Sequence, residues 1–508
     1  MKKVLVAFLM LFPMIAFADD RPPFKPGEVI VKYKTDRSSR GATIQMASQA
    51  MEEAQSSGYR VAHYHYGLNI SQMKVPPSKT VEKAIEEISA IEGVEYVEPN
   101  YRVYFNALGG ERIEEIDLGK WLQPSSPTSF STPKVIVAVI DTGVDYTHEG
   151  LNPFMWVNRG EVPQNGIDDD RNGFVDDYYG YNFITNNGDP MDDNYHGTHV
   201  AGIVVKTLAD AENADPSAEG LRSSVGIMAL KFLNKDGEGY VSDAIRAVSY
   251  AISMGAKVLN NSWGGGNFSR ALQDAISQTY YNNRLFVVAS GNDAKNIDQF
   301  PAFPASYTHP HLVSVAALDS FSSYGLAWFS NFGKQSVDIG APGVSIRSTL
   351  PKNRYGSASG TSMATPFISA VGAAIWAANP SLNHLQVKEI MMRSADGVSS
   401  LKDLIVSPGI ADTLSAIEIA KQTSGNPSIP PLVLPNPPQE SVGYYDGSDY
   451  FSNNPSGCAL MPWVTNGPFS KPPGPDYLLI LLPIIILLMA RFRPIRQVAR
   501  IWRRANQS

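Results

Sequence analysis

Five continuous apolar runs constrain this chain more than any other feature. They are KVIVAVIDTGVD (Lys134–Asp145), SSVGIMALKFL (Ser223–Leu233), GAKVLNNSWGG (Gly255–Gly265), LFVVASGND (Leu285–Asp293) and HLVSVAALD (His311–Asp319). A run without polar alternation is what a parallel strand looks like when both its faces are buried. Helical patterns such as VSDAIRAVSYAISMG and ALQDAISQTYYNN stand between the runs. Strand alternating with helix predicts an α/β domain built on a doubly wound, mostly parallel sheet. Working residues in such sheets lie past the carboxyl ends of the strands. Asp141, Ser262 and Asn292 each follow an apolar run directly.

That domain is expected over residues 134–422, closed by two late helical patterns, NPSLNHLQVKEIMMRSADGV and GIADTLSAIEIAKQ. Ahead of it, residues 19–108 suggest a small α+β module. PGEVIVKYK alternates like a strand, and Val81, Ala84, Ile85 and Ile88 form an amphipathic helix stopped by Gly93. The β-rich pieces VEYVEPN and YRVYF follow, and residues 109–133 are a bridge. Residues 423–476, rich in Pro, Gly, Ser and Asn, predict an extended spacer.

Both ends resemble address labels. Residues 1–18 carry Lys2 and Lys3, an apolar stretch and a small-residue site ending at Ala18, the layout of a secretory signal. The chain is therefore expected to be exported, to the cell envelope or surface. Residues 477–508 hold a short apolar segment followed by Arg491, Arg493, Arg496, Arg500, Arg503 and Arg504. Such a segment either stops transfer with the body outside or packs as a core helix with a basic face. Its layout is similar to C-terminal sorting tails that a processing protease removes, so a membrane contact and a sorting protease are expected partners. The net charge of −7 and the lack of a basic stripe exclude a dedicated nucleic-acid binder. A single cysteine, Cys458, excludes an internal disulfide and a cysteine zinc site. It is either inert or a processing or lipid-attachment point.

Hydrolysis of an amide needs a nucleophile, a base, a group that orients the base, and donors for the developing oxyanion. Asp141 in VIDTGVD, His196 in HGTHVAG, Ser362 in SGTSMATP and Asn292 in ASGND supply one candidate each. Singly, each has a plainer role: a cap for Asp141 or Ser362, a satisfied core residue for His196, a turn for Asn292. Ser362 stands at the start of an apolar helix, where free N–H groups favour a negative oxygen.

Together, DTG, HGTHVAG, NSWGG, SGN and GTSMATP resemble the subtilisin-like serine proteases, in the order Asp, His, Ser that this family uses. The resemblance covers residues 134–422. It implies a triad of Asp141, His196 and Ser362, with an oxyanion hole of Asn292 and the Ser362 N–H. It also implies a substrate strand paired with Ser262, Trp263 and Gly264, with Trp263 walling a pocket. The front module resembles the family's inhibitory propeptide, which the enzyme itself cuts off, here between Phe105 and Trp121. Protein or peptide substrates and the chain's own propeptide are the partners so implied, and the chemistry needs no cofactor. The competing reading is a binding module with the front module permanently docked.

In NGIDDDRNGFVDDYYGYNF, Asp168, Asp170 and Asn172 alternate before Gly173, as at the start of a calcium loop. Asp176 and Asp177 complete a candidate oxygen shell. Tyr179 stands where the loop's bidentate Glu belongs, so the segment reads either as a structural calcium site or as a solvated acidic turn.

Overall fold

The computed structural model describes residues 22–36, 39–105, 134–426 and 428–434. The leader, the bridge, Cys458 and the C-terminal tail lie outside the described residues.

The front module runs β1 (Phe24–Tyr33), α1 (Arg40–Ser56), β2 (Arg60–His65), β3 (Ile70–Lys74), α2 (Val81–Ser89) and β4 (Val94–Phe105). Its strands pair antiparallel in the order β4-β1-β3-β2. Val29, Val31 and Tyr33 of β1 point into a core with α1 and α2, whereas Ile30 joins a core of the large domain. The alternation of one strand thus glues the module to its neighbour. The sequence signal for α1 is weak, because its buried contacts are the small side chains Ala47, Ala50 and Ala54 rather than a broad apolar stripe.

The large domain continues with β5 (Val135–Asp141), β6 (Gly180–Asn182), α3 (His196–Ala214), β7 (Val225–Lys231), β8 (Glu238–Tyr240) and α4 (Val241–Ser253). Next come β9 (Val258–Asn261), β10 (Trp263–Gly264), α5 (Arg270–Tyr281), β11 (Leu285–Ala289), β12 (Leu312–Asp319) and β13 (Gly325–Leu326). It ends with β14 (Ile339–Pro342), β15 (Ile346–Leu350), β16 (Arg354–Ala358), α6 (Thr361–Ala378), α7 (His384–Arg393), β17 (Ala395–Gly397), β18 (Gly409–Ala411) and α8 (Thr413–Gln422).

The main sheet has the order β17-β18-β14-β12-β11-β9-β5-β7-β6, with β13 on β12. Its body is parallel, and only β13 and β17 run antiparallel to their neighbours. Val135, Val137 and Val139 of β5 enter one core with α3 and α6, while Ala138 and Ile140 enter another with α4 and α5. Helices therefore cover both faces, which is why the strands are apolar throughout. From β5 the chain winds out to β7 on one side and returns to β9 on the other. This reversal opens a crevice past the carboxyl ends of β5 and β9, where open α/β sheets place their ligands.

Candidate active site

Asp141 is the last residue of β5 and His196 the first of α3, and both are fully buried. His196 Nδ1 lies 2.8 Å from Asp141 Oδ1, which also accepts the Thr142 N–H at 2.7 Å. Among the described residues His196 Nε2 has no hydrogen-bond partner. The close approach of α3 to β5 depends on Gly197, where a Cβ would fall 2.0 Å from the Gly143 carbonyl oxygen. Asn194 Oδ1 accepts the His196 N–H at 3.1 Å and holds the first turn.

A buried network behind this pair escaped the sequence reading. Asp192 Oδ1 accepts from Thr142 Oγ1 at 2.9 Å, and its Oδ2 accepts the Thr198 N–H at 3.0 Å and the Thr198 hydroxyl at 2.6 Å. Thr142 Oγ1 in turn accepts the Gly197 N–H at 2.9 Å, tying the two loops together. Burial pushes the Asp192 carboxyl up to about 6, against the pull of these hydrogen bonds. Lys231 Nζ, buried at the end of β7, donates to the carbonyls of Thr142 and Leu233 at 2.6 and 2.9 Å and to Asp193 at 2.7 Å. The acidic pair Asp192–Asp193 just before His196 was the only available signal.

Ser362 is the second residue of α6 and is buried. Its hydroxyl donates to the Ser262 carbonyl at 2.9 Å, and Ser262 Oγ donates to the Ser362 carbonyl at 3.0 Å. No hydrogen bond joins Ser362 to His196 Nε2, and the His196 ring stacks on that of Phe105, with centroids 4.4 Å apart and 25° between planes. Asn292 follows β11, and its Oδ1 accepts from the Thr361 N–H at 2.9 Å and the Thr361 hydroxyl at 3.0 Å. The amide oxygen is thereby anchored to the start of α6.

Of the three residues expected to pair with an incoming strand, Trp263 and Gly264 form β10 and pair antiparallel with Phe105 and Tyr104 of β4. Ser262 instead spends its side chain and carbonyl on Ser362. The Trp263 indole is fully buried, 5.0 Å from the Phe232 ring, in a core that also takes Val103 of β4. On the other edge of β4, Arg102, Val103 and Tyr104 pair with Tyr240, Gly239 and Glu238 of β8. The end of the front module thus lies as the middle strand between β8 and β10. Glu98 accepts from the Ser269 hydroxyl and the Arg270 N–H, and Asn100 Oδ1 accepts the Ser242 N–H at 3.0 Å, so β4 caps both α5 and α4. Burial pushes the Glu98 carboxyl up to about 7.

The acidic loop divides. Asp168 and Asp170 converge with Glu161, a residue the sequence reading omitted, and their oxygens lie within 4.8 Å of one another. Asp176 turns instead to the N–H groups of Asn165 and Gly166. Asp177 is buried against Asn158, Asn172 and Tyr250, and Asn172 spends its amide on Asp170 and Asp177. Three carboxylates with hard oxygen donors suit a cation of the calcium type better than a softer metal.

The model of the Subtilase family matches residues 132–423, more than half of the chain, and that of the Fervidolysin N-terminal prodomain matches residues 13–100. The chain is 33% identical over 309 residues to Subtilisin-like protease 1 of Plasmodium vivax, covering 58% of this chain and 48% of that protein. It is 30% identical over 395 residues to the Thermophilic serine proteinase of Bacillus sp. (strain AK1), covering 76% and 86%. The match spans about half the length of the Plasmodium relatives. Among solved structures, fervidolysin from Fervidobacterium pennivorans, described as a keratinolytic enzyme related to subtilisin, aligns with a TM-score of 0.57 at 22% identity. It covers 78% of this chain and 61% of that one, a likeness of fold.

Proposed function

The chain belongs to the subtilase family, and we propose that it is an exported, self-processing serine endopeptidase held inactive by its own front module. The observation that carries this reading is the buried His196–Asp141 pair, 2.8 Å apart, with the buried Nε2 left unpartnered among the described residues.

In the proposed reaction the Ser362 hydroxyl leaves the Ser262 carbonyl and turns to His196 Nε2. The imidazole takes the hydroxyl proton as Oγ bonds to the substrate carbonyl carbon, and Asp141 holds Nδ1–H and steadies the resulting imidazolium. Asn292, its oxygen anchored on Thr361, offers its NH₂ to the oxyanion together with the Ser362 N–H. Collapse breaks the C–N bond, and the proton on Nε2 goes to the departing amine. Water then enters and gives its proton to the same nitrogen as its oxygen bonds to the acyl carbon; the ester C–O bond breaks, Nε2 returns the proton to Ser362 Oγ, and the carboxylic acid product leaves.

Substrates are proposed to bind as β4 does, as a middle strand between β8 and β10. The cut that frees the front module falls between Phe105 and Trp121, which leaves β4 in the cleft as a competitive inhibitor until it is degraded or released. Glu161, Asp168 and Asp170 would hold a structural calcium ion that supplies charge neutralisation to the loop and takes no part in the reaction. The leader supports export, and the apolar, arginine-rich C-terminus supports a tether at the envelope or a signal for a sorting protease.

The test expresses the full chain and Ser362→Ala side by side. The wild type should shorten its own N-terminus and clear casein, a serine-directed inhibitor should stop the clearing, and Ser362→Ala should stay uncut. An uncut wild type that clears nothing would establish the binding-module reading instead.

A further inference from the structure

Asn292 stands on a turn, residues 290–295, whose backbone is held by a second segment, residues 329–332. Asn331 of that segment is fully buried. Its Oδ1 accepts the N–H groups of Asp293 at 3.0 Å and Lys295 at 2.9 Å, and its Nδ2 donates to the Ser290 carbonyl at 2.9 Å. Its own N–H donates to the Gly291 carbonyl at 2.9 Å, and its carbonyl accepts the Ser290 hydroxyl at 3.2 Å. One side chain thus grips the backbone on both sides of Asn292.

The turn needs that grip. Gly291 has a φ of +105° and Ala294 one of +54°, so left-handed residues stand on both sides of Asn292 and Asp293. For an alanine this conformation costs roughly 1–2 kcal/mol. The Ala294 N–H is held by the Phe329 carbonyl at 2.7 Å. Gly291 also lets the clamp close, because a Cβ there would fall 2.4 Å from Asn331 Nδ2. Behind Asn331, the Ser330 hydroxyl accepts the N–H of Ala317 in β12 at 2.9 Å, which ties the clamp to the main sheet.

Thr361 of α6 fixes the other end of Asn292. It donates its N–H and hydroxyl to Asn292 Oδ1, and its Oγ1 accepts the Gly291 N–H at 3.2 Å. Thr361 therefore orients the amide, while Asn331 sets the place of the backbone that carries it. A shift of that backbone moves the NH₂ off the place where the oxyanion develops, and a donor works there only within about 2.7–3.1 Å.

We propose that Asn331 is a positioning residue for the oxyanion donor Asn292, acting through the backbone of residues 290–295. The proposal rests on the endopeptidase reading. A clamp that only supported folding would change Tm and leave the turnover of each folded molecule alone. A positioning residue lowers kcat with KM little changed, because a misplaced donor is missed only in the transition state. The loss is bounded by the worth of the donor itself, about 10²–10³.

The experiment uses the enzyme matured from the full chain and a casein-derived peptide. Active sites are counted by labelling Ser362 with a fluorophosphonate, so that unfolded molecules drop out of kcat. Asn331→Ala should lower kcat by about ten- to hundredfold and leave KM within about twofold. In the Asn292→Ala background the same substitution should change kcat by less than about twofold, since no donor is left to position. Asn331→Asp keeps an acceptor for Asp293 and Lys295 and loses only the donor to Ser290. It should show a smaller fall in kcat, and it replaces Asn331→Ala in both backgrounds if that variant yields no labelled sites. An unchanged kcat, a fall by the same factor in both backgrounds, or a loss confined to KM overturns the proposal. Each of those results with casein cleared by the wild type defeats the positioning role alone. A wild type that leaves casein and peptide intact defeats the endopeptidase reading and this proposal with it.

Discussion

Ser262 and Ser362, 100 residues apart, exchange two hydrogen bonds: each hydroxyl donates to the other's carbonyl. The cause lies four residues further on. Pro366 sits inside α6 where an N–H would normally reach back to the Ser362 carbonyl, and proline has none. Ser262 Oγ fills that vacancy and fixes the first turn of α6 beneath the Ser362 hydroxyl.

Ser262→Ala should therefore act on both stability and turnover. It strands the Ser362 carbonyl, and with it the Asn260 NH₂ that donates to Ser262 Oγ at 3.0 Å, at a cost of about 1–3 kcal/mol. Turnover should fall several-fold as the serine loses its fixed position. Adding Pro366→Ala returns a donor to the Ser362 carbonyl, so the double variant should recover part of the lost Tm. Strictly additive losses in thermal melts would show that the two serines are not coupled in this way.

Asn292→Ala should reduce kcat by about 10²–10³ with KM little changed, since the donor acts on charge that develops only in the transition state. The variant also loses the acceptor for the Thr361 N–H, so a Tm lower by a few degrees accompanies the kinetic effect. Steady-state kinetics on a peptide substrate measure the split. Turnover near that of the wild type would remove Asn292 from the site.

Acid should loosen the large domain through three histidines gathered where α5, β12 and α7 meet. The His311 ring meets those of His384 and His309 edge to face, with centroids 5.2 and 5.8 Å away, and Tyr280 lies beside them. Burial holds His309 and His384 down to about 4 and His311 well below its ordinary value, with neighbouring cations adding to the effect on His311 and His384. The folded state therefore binds fewer protons than the unfolded chain, and the stability of the neutral cluster is complete above about 6.5 and lost as pH falls toward 4. His311→Phe keeps a ring in the cluster and removes one titration. Its Tm should fall less steeply than that of the wild type between pH 6.5 and 4.5, and parallel slopes would refute the assignment.

Chelation should test the carboxylate trio. EDTA should lower the Tm of the wild type, and calcium should restore it, because Glu161, Asp168 and Asp170 repel one another without a cation. In Glu161→Gln the response to EDTA should shrink sharply. The reverse result, an EDTA effect unchanged by Glu161→Gln, would place any bound calcium elsewhere.

The apolar strands announced themselves in the sequence because each is covered on both faces, so their doubly buried character and the parallel sheet were legible without coordinates. The positions of Asp141, His196, Ser362 and Asn292 past a strand or at the start of a helix were legible too, since each sits in a short local motif. Helix α1 was not, because small alanines pack closely without producing an apolar periodicity. The reciprocal bonds of Ser262 and Ser362, the Asp192 network, the place of Glu161 in the acidic loop and the hold of Asn331 on the turn that carries Asn292 are decided only by tertiary structure. Each joins atoms from segments distant in the chain or depends on the direction of a side chain, and local residue patterns carry neither distance nor direction across a fold.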